Sequence, residues 1–143
     1  MVRSVLRLIR SEAAPHAQLI VEQTATPQVI GSATRVGQVL LNLLLNALQA
    51  MPSRPVSANQ VKVRLSEENG RALIEVSDNG TGIDPQNLRR IFDPFFTTKR
   101  QGTGLGLAIS RQIIEETGGE LSVASELGVG TCFTVSWPVV PPR

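Results

Sequence analysis

Between positions 33 and 51 apolar side chains point in nearly every direction around a helical turn. Val36, Val39, Leu40, Leu41, Leu43, Leu44, Leu45, Ala47, Leu48 and Met51 leave only a narrow polar line. Such a distribution predicts a helix, from about Ala33 to Met51, that is buried over most of its circumference. Ser32 stands where an N-cap hydroxyl is needed, and Pro52 stands where the helix must stop. Period two takes over downstream, with residues 61–66 and 72–77 alternating on either side of Glu68-Asn69-Gly70. This predicts an antiparallel hairpin whose second strand stops at Asp78. Residues 18–23 and 27–30 read as shorter strands. Helical spacing returns over residues 105–117 and is broken by Gly118-Gly119. A closing hairpin then pairs residues 120–124 with 131–135 around Gly128-Val129-Gly130.

The remaining stretches are less regular. Val2, Val5, Leu6, Leu8 and Ile9 predict a short amphipathic helix, so residues 1–14 read as a connector from an upstream helical segment. Residues 79–103 carry glycines and prolines with little periodicity apart from a short helix at 85–90, and residues 138–143 read as a tail. Residues 15–137 then form one domain without internal repeats. Strands flank and interrupt helices without strict alternation, which predicts an α/β (α+β) two-layer sandwich: a mixed, mostly antiparallel sheet with helices packed on one face.

Composition narrows the possible functions. A chain of 143 residues, 41% hydrophobic, is long enough to bury a core without staples, and the single Cys132 excludes an internal disulfide. No charged-then-apolar leader and no apolar run of membrane length occur, so a reducing cytoplasm is expected, with no direct membrane contact from this chain. The formal charge is +2, without a dense basic block, and the chain has no Tyr and four Phe. Nucleic acid is therefore a disfavoured partner. Cys132 and Trp137 read as packing residues of the closing strand.

Three polar signatures remain. On a helix turning about 100° per residue, Gln38, Asn42, Asn46 and Gln49 fall within an arc of about 80°. Either this stripe faces solvent, or Asn46 offers an amide oxygen to a phosphate-bridging Mg²⁺, a hard cation that takes few protein ligands. Asp78 is followed by Asn79-Gly80-Thr81-Gly82-Ile83. This is either a simple turn or a base reader, since an ionised carboxylate only accepts hydrogen bonds and would favour the amine of adenine over the oxygen of guanine. Gly102-Thr103-Gly104-Leu105-Gly106-Leu107 leads into a helix; either this entry is purely architectural, or its free amides and the helix dipole receive phosphate. It lacks both the P-loop ending and the dinucleotide spacing. Between the two glycine runs, residues 91–100 read as a lid anchored by Phe92 and Phe96, with Thr97, Thr98, Lys99 and Arg100 toward phosphates; the alternative is a solvated loop pinned by core phenylalanines.

In this order, the motifs closely resemble the catalytic and ATP-binding domain of bacterial two-component sensor histidine kinases, within the Bergerat-fold ATPases. The resemblance spans roughly residues 35–133. It implies a nucleotide held between the long helix and the lid, with ATP and Mg²⁺ as cofactors. Residues 35–47 are similar to the family's asparagine box, with Asn46 at the magnesium position and Asn42 near the phosphates. Residues 78–82, with Asp78, Gly80 and Gly82, are similar to the first glycine box, beside which Ile83 is a further candidate for nucleotide contact; residues 92–96, with Phe92, resemble the phenylalanine box, and Gly102, Thr103, Gly104, Leu105 and Gly106 the second glycine box. Thr131 closes the C-terminal glycine turn.

One position separates the relatives. Gyrase-type, mismatch-repair and chaperone ATPases and the anti-sigma serine kinases carry a glutamate four residues before the magnesium asparagine; here that residue is Asn42. Efficient water-driven hydrolysis is then not expected, and transfer to an imidazole is. The acceptor histidine of the family lies on a separate dimerisation domain. His16, the only histidine, lacks the acceptor pattern and reads as a surface or packing residue. The resemblance therefore implies a catalytic domain, incomplete for autophosphorylation, whose partners are the histidine-bearing dimerisation domain of its parent kinase and, indirectly, a response regulator. Asn46 with Lys99 or Arg100 would act on the phosphates. Rival readings are a Bergerat-fold ATPase or serine kinase, and a nucleotide-dependent scaffold.

Overall fold

The computed structural model describes residues 7, 10–11, 15–23, 33–96 and 106–138, with side chains in the long helix described from Val36 onward. Most of the connector stretch 1–14, the strand at 27–30, the Ser32 cap and the stretches 97–105 and 139–143 lie outside the described residues; Arg7, Arg10 and Ser11 of the connector are helical.

Five strands, β1 (Gln18–Gln23), β2 (Gln60–Glu68), β3 (Arg71–Asp78), β4 (Glu120–Glu126) and β5 (Gly130–Pro138), form one sheet in the order β1-β2-β3-β5-β4. β1 runs parallel to β2, and every other neighbouring pair is antiparallel. The helices are α1 (Ala33–Gln49), α2 (Pro85–Leu88) and α3 (Gly106–Glu116), with a 3₁₀ turn at Val56–Ala58. α1 lies against β2, β3 and α3, and α3 against β4. One sheet face is buried: Val61 and Val63, Ile74 and Val76, and Phe133, Val135 and Trp137 meet Val39, Leu40, Leu43 and Leu44 of α1 and Ile114 of α3. The other face is polar and includes the Lys62–Glu22 ion pair at 2.9 Å. Such alternation is expected of a sheet covered on one side. The two-layer α+β architecture anticipated above is the one observed.

Boundaries moved where the ladder or a cap outlasted the hydrophobic signal. β2 and β3 extend to Glu68 and Arg71, paired directly across Asn69 (φ 53°) and Gly70 (φ 75°). Two successive positive φ values are those of a type I′ hairpin turn. α1 stops at Gln49 instead of Met51. The Ala50 N–H is shared between the carbonyls of Asn46 and Ala47, each at 3.2 Å, and the Ala50 carbonyl accepts from Thr81 N–H at 3.0 Å. Met51 precedes proline and is disfavoured in the helical region. α2 is capped by Asp84, whose carboxylate accepts from Gln86 N–H at 2.8 Å, and ends before Arg89. α3 ends through Gly118 (φ 84°), with Gly119 N–H donating to the Ile114 carbonyl at 2.9 Å. β5 continues through Pro138, one residue into the stretch read as a tail, because Pro138 still faces Arg71 across the ladder.

Candidate functional site

The first glycine run is tied to the end of α1. A Cβ on Gly80 would come within 2.5 Å of the Ala50 carbonyl oxygen, so only glycine allows this approach, and Thr81 N–H completes the contact. Asn46 lies one helical turn back from Ala50 and Asn42 two turns back, roughly 6 and 12 Å along the axis. Asp78 ends β3 and is half-buried, and one of its carboxylate oxygens accepts from Gly80 N–H at 2.9 Å. The carboxylate thereby fixes the turn that joins it to α1.

A second contact ties the run to the closing hairpin. Gly82 has φ 73°, and a Cβ there would meet the Glu126 carbonyl at 2.3 Å. Gly128 N–H donates to the Thr81 carbonyl at 2.8 Å, and Ile83 N–H donates to Ser125 Oγ at 2.8 Å. Thr131 faces Asp78 directly across the β3–β5 ladder, is buried, and lies 2.8 Å from Ser125 through its hydroxyl. Paired positions carry side chains on one face a few ångströms apart. Asp78, Gly80, Gly82, Ile83 and Thr131 thus share one junction of α1, β3 and the β4–β5 turn.

The amide stripe divides in two. Gln38 and Gln49 are exposed, whereas Asn42 and Asn46 are half-buried. Asn42 Nδ2 donates to Ser110 Oγ of α3 at 3.3 Å, and Ser110 is fully buried. A neutral amide that donates here cannot take a proton from water.

Phe92 meets Phe133 edge-on, with ring centroids 6.5 Å apart, and carries the Arg111 guanidinium 5.0 Å above its ring. Arg90 sits 4.5 Å over Phe96. Phe92 and Phe96 both pack against the core, a contact that the lid and the pinned-loop readings share, whereas Phe95 is 74% exposed at φ 68°. Gly106 opens α3. Thr97, Thr98, Lys99, Arg100, Gly102, Thr103, Gly104 and Leu105 lie outside the described residues.

Ser110, Ser125 and Arg54 escape a motif-based reading, and the contacts of Asn79 within its motif do too. Ser110 precedes the buried Ile113 and Ile114 by three and four residues, so a small hydroxyl on that apolar face is its only signal. Ser125 falls just past the stretch 120–124 read as a strand, which the structure extends to Glu126, and belongs to no motif. Arg54 and Asn79 form a clasp: Arg54 donates to the Asn79 carbonyl at 2.6 Å and to Asn59 Oδ1, while Asn79 Nδ2 donates to the Ala58 carbonyl at 2.9 Å and its Oδ1 accepts from Gln60 N–H at 2.7 Å. The side chain of Asn79 is thus occupied in holding the backbone after Asp78. A hollow of about 290 Å³ borders the same strands, but Ser77, Ala124 and Cys132 give it the sheet face opposite Phe133.

The donor set suits an amine-bearing base at Asp78 and Thr131 and a hard cation at an amide oxygen of α1. Among the described residues no group of three or more His, Cys, Asp or Glu could hold a metal ion. A cation here would be held by the amide together with the anionic oxygens of a ligand. No helix among the described residues is long and apolar enough to cross a membrane.

A family model described as histidine kinase-, DNA gyrase B-, and HSP90-like ATPase matches residues 31–141. The sensor histidine kinase ZraS of Escherichia coli strain K12 is 45% identical over 113 residues, covering 79% of this chain and 23% of ZraS. The signal transduction histidine-protein kinase AtoS of the same strain is 45% identical over 105 residues, covering 73% of this chain and 17% of AtoS. Among solved structures, the mycobacterial sensor histidine kinase MprB matches with a TM-score of 0.83 at 32% identity, over 99% of this chain and 93% of that one. The catalytic domain of histidine kinase ThkA, in a nucleotide-free form, matches with a TM-score of 0.81 at 31% identity, over 96% and 89% of the two chains. The chain spans less than a quarter of the length of these curated relatives.

Proposed function

Because this chain belongs to the histidine kinase-, DNA gyrase B- and HSP90-like ATPase family, we propose that it is the ATP-binding catalytic part of a two-component sensor histidine kinase. In this reading it binds Mg-ATP and delivers the γ-phosphoryl group to a histidine on a separate dimerisation domain of its parent kinase, from which a response regulator is served. The observation that carries it is the junction at Ala50 and Gly80, which brings the Asp78 carboxylate to the end of the helix that bears Asn42 and Asn46.

Asp78 accepts from the adenine amine, and the glycine turn at 80–82 lets the base approach the backbone. Asn46 supplies a neutral amide oxygen to Mg²⁺, which when bound neutralises phosphate charge and orients the transferable group. Lys99 or Arg100 and the amides of the second glycine run, residues 102–106, complete the charge neutralisation. Asn42 cannot serve as a general base, which favours an external imidazole over water as the nucleophile. Such a module works in the cytoplasm, whatever anchor its parent carries.

The test mixes the protein and Mg-ATP with the histidine-bearing helical domain of its own parent chain. Acid-labile phosphate on that domain is the expected product. Rapid release of inorganic phosphate without any acceptor, and no labelled domain, would favour the ATPase reading instead.

A further inference from the structure

We propose that Ser125 sets the direction of the Thr131 hydroxyl, making Thr131 a pure hydrogen-bond acceptor toward the ligand and Ser125 a positioning residue for base selectivity. The inference rests on the nucleotide-binding reading above.

Ser125 Oγ has three polar neighbours: Ile83 N–H at 2.8 Å, the Gly130 carbonyl at 3.0 Å and Thr131 Oγ1 at 2.8 Å. A serine hydroxyl has one proton to give and two lone pairs to offer. The Ile83 amide can only donate, so it takes one lone pair. The Gly130 carbonyl can only accept, so it takes the proton. The contact with Thr131 is then a hydrogen bond only if Thr131 donates. Were Ser125 to donate to Thr131 instead, two acceptor oxygens would face each other 3.0 Å apart at Gly130. One assignment makes all three bonds, and it uses the only proton of Thr131.

Thr131 stands opposite Asp78 on the same sheet face, and it is 5% exposed. With its proton turned toward Ser125, it presents lone pairs alone, beside a carboxylate that also only accepts. Two acceptors side by side favour an exocyclic amine and disfavour a carbonyl oxygen at the same ring position. Selection against a 6-oxo purine is therefore shared by three residues, one of which need not touch the base.

The test uses ATP and ITP, which differ at purine position 6 and in the hydrogen that the 6-oxo ring carries on N1, titrated calorimetrically into wild type, Ser125→Ala, Thr131→Val and the double variant. Wild type is expected to prefer ATP. Ser125→Ala frees the Thr131 proton to turn toward a 6-oxo group, so the ATP-to-ITP affinity ratio should shrink about tenfold, the scale of one neutral hydrogen bond. In the Thr131→Val background the same serine change should leave the ratio unmoved. Equal, parallel loss of both affinities in Ser125→Ala would mark a merely structural serine and overturn the proposal. Should Ser125→Ala fail to fold, Thr131→Val decides alone: ATP affinity should fall while ITP affinity holds or rises, and a larger fall for ITP would refute acceptor-only behaviour. Wild type binding ATP and ITP equally would instead sink the base-reading role of Asp78.

Discussion

The side-chain amide of Asn42 donates to the hydroxyl of Ser110, linking α1 to α3 at 3.3 Å through a residue with no exposed surface. The bond fixes which end of the Asn42 amide turns away from α3 and ties the asparagine helix to the helix that follows the second glycine run. Ser110→Ala should lower unfolding free energy by about 1 kcal/mol, the net worth of one neutral hydrogen bond. It should also weaken nucleotide binding several-fold. Urea unfolding and an ATP titration on the same sample check both outcomes, and Ser110→Thr, which keeps a hydroxyl, should recover part of each.

Asp78→Asn separates recognition from folding. An asparagine oxygen can still accept from Gly80 N–H, so the turn should survive and the melting temperature should stay within a few degrees of wild type. ATP affinity should fall roughly ten- to a hundredfold, because a hydrogen bond to a charged group is worth about 1.5–3 kcal/mol. Unchanged affinity by calorimetry would remove Asp78 from the base site.

Asn46→Ala is expected to act through the cation. Affinity for ATP should drop in the presence of Mg²⁺ and change little in EDTA, where the amide has no metal to meet. An equal drop in both media would instead assign Asn46 a role in packing.

Glycine substitutions should sort by backbone contact. Gly82→Ala places a methyl group 2.3 Å from the Glu126 carbonyl at a φ of 73°, and a loss of at least ~1–3 kcal/mol is expected. Gly106→Ala meets nothing within 4 Å at the start of α3, and its stability should stay within about 0.5 kcal/mol of wild type or rise. Chemical denaturation of the pair measures the difference directly.

Trp137 closes the core and donates its indole N–H to Thr117 Oγ1 at 2.7 Å. Thr117→Val keeps the shape but leaves a buried donor without an acceptor, which should lower stability by ~1–3 kcal/mol. Thr117→Ser should be close to neutral. Indole fluorescence during unfolding follows the same residue that is perturbed.

Local pattern by itself determined the elements and their order. Alternation over 61–66 and 72–77 with Asn69-Gly70 between them specifies the central hairpin, since side-chain period and turn chemistry are set by neighbours in the chain. The helical spacing of 36–51 likewise specifies α1, and the ordered motifs at Asn42, Asn46, Asp78 and Gly80 suggest the nucleotide-site reading before any contact is known. Tertiary structure alone decided what meets what. The parallel pairing of β1 with β2, the approach of Gly80 to Ala50, the Asn42–Ser110 bond and the saturation of Ser125 by Ile83, Gly130 and Thr131 join positions up to 68 residues apart. Such contacts depend on how the helices and the β4–β5 turn fill space at the end of the sheet, and a serine's proton has no direction until its neighbours are in place.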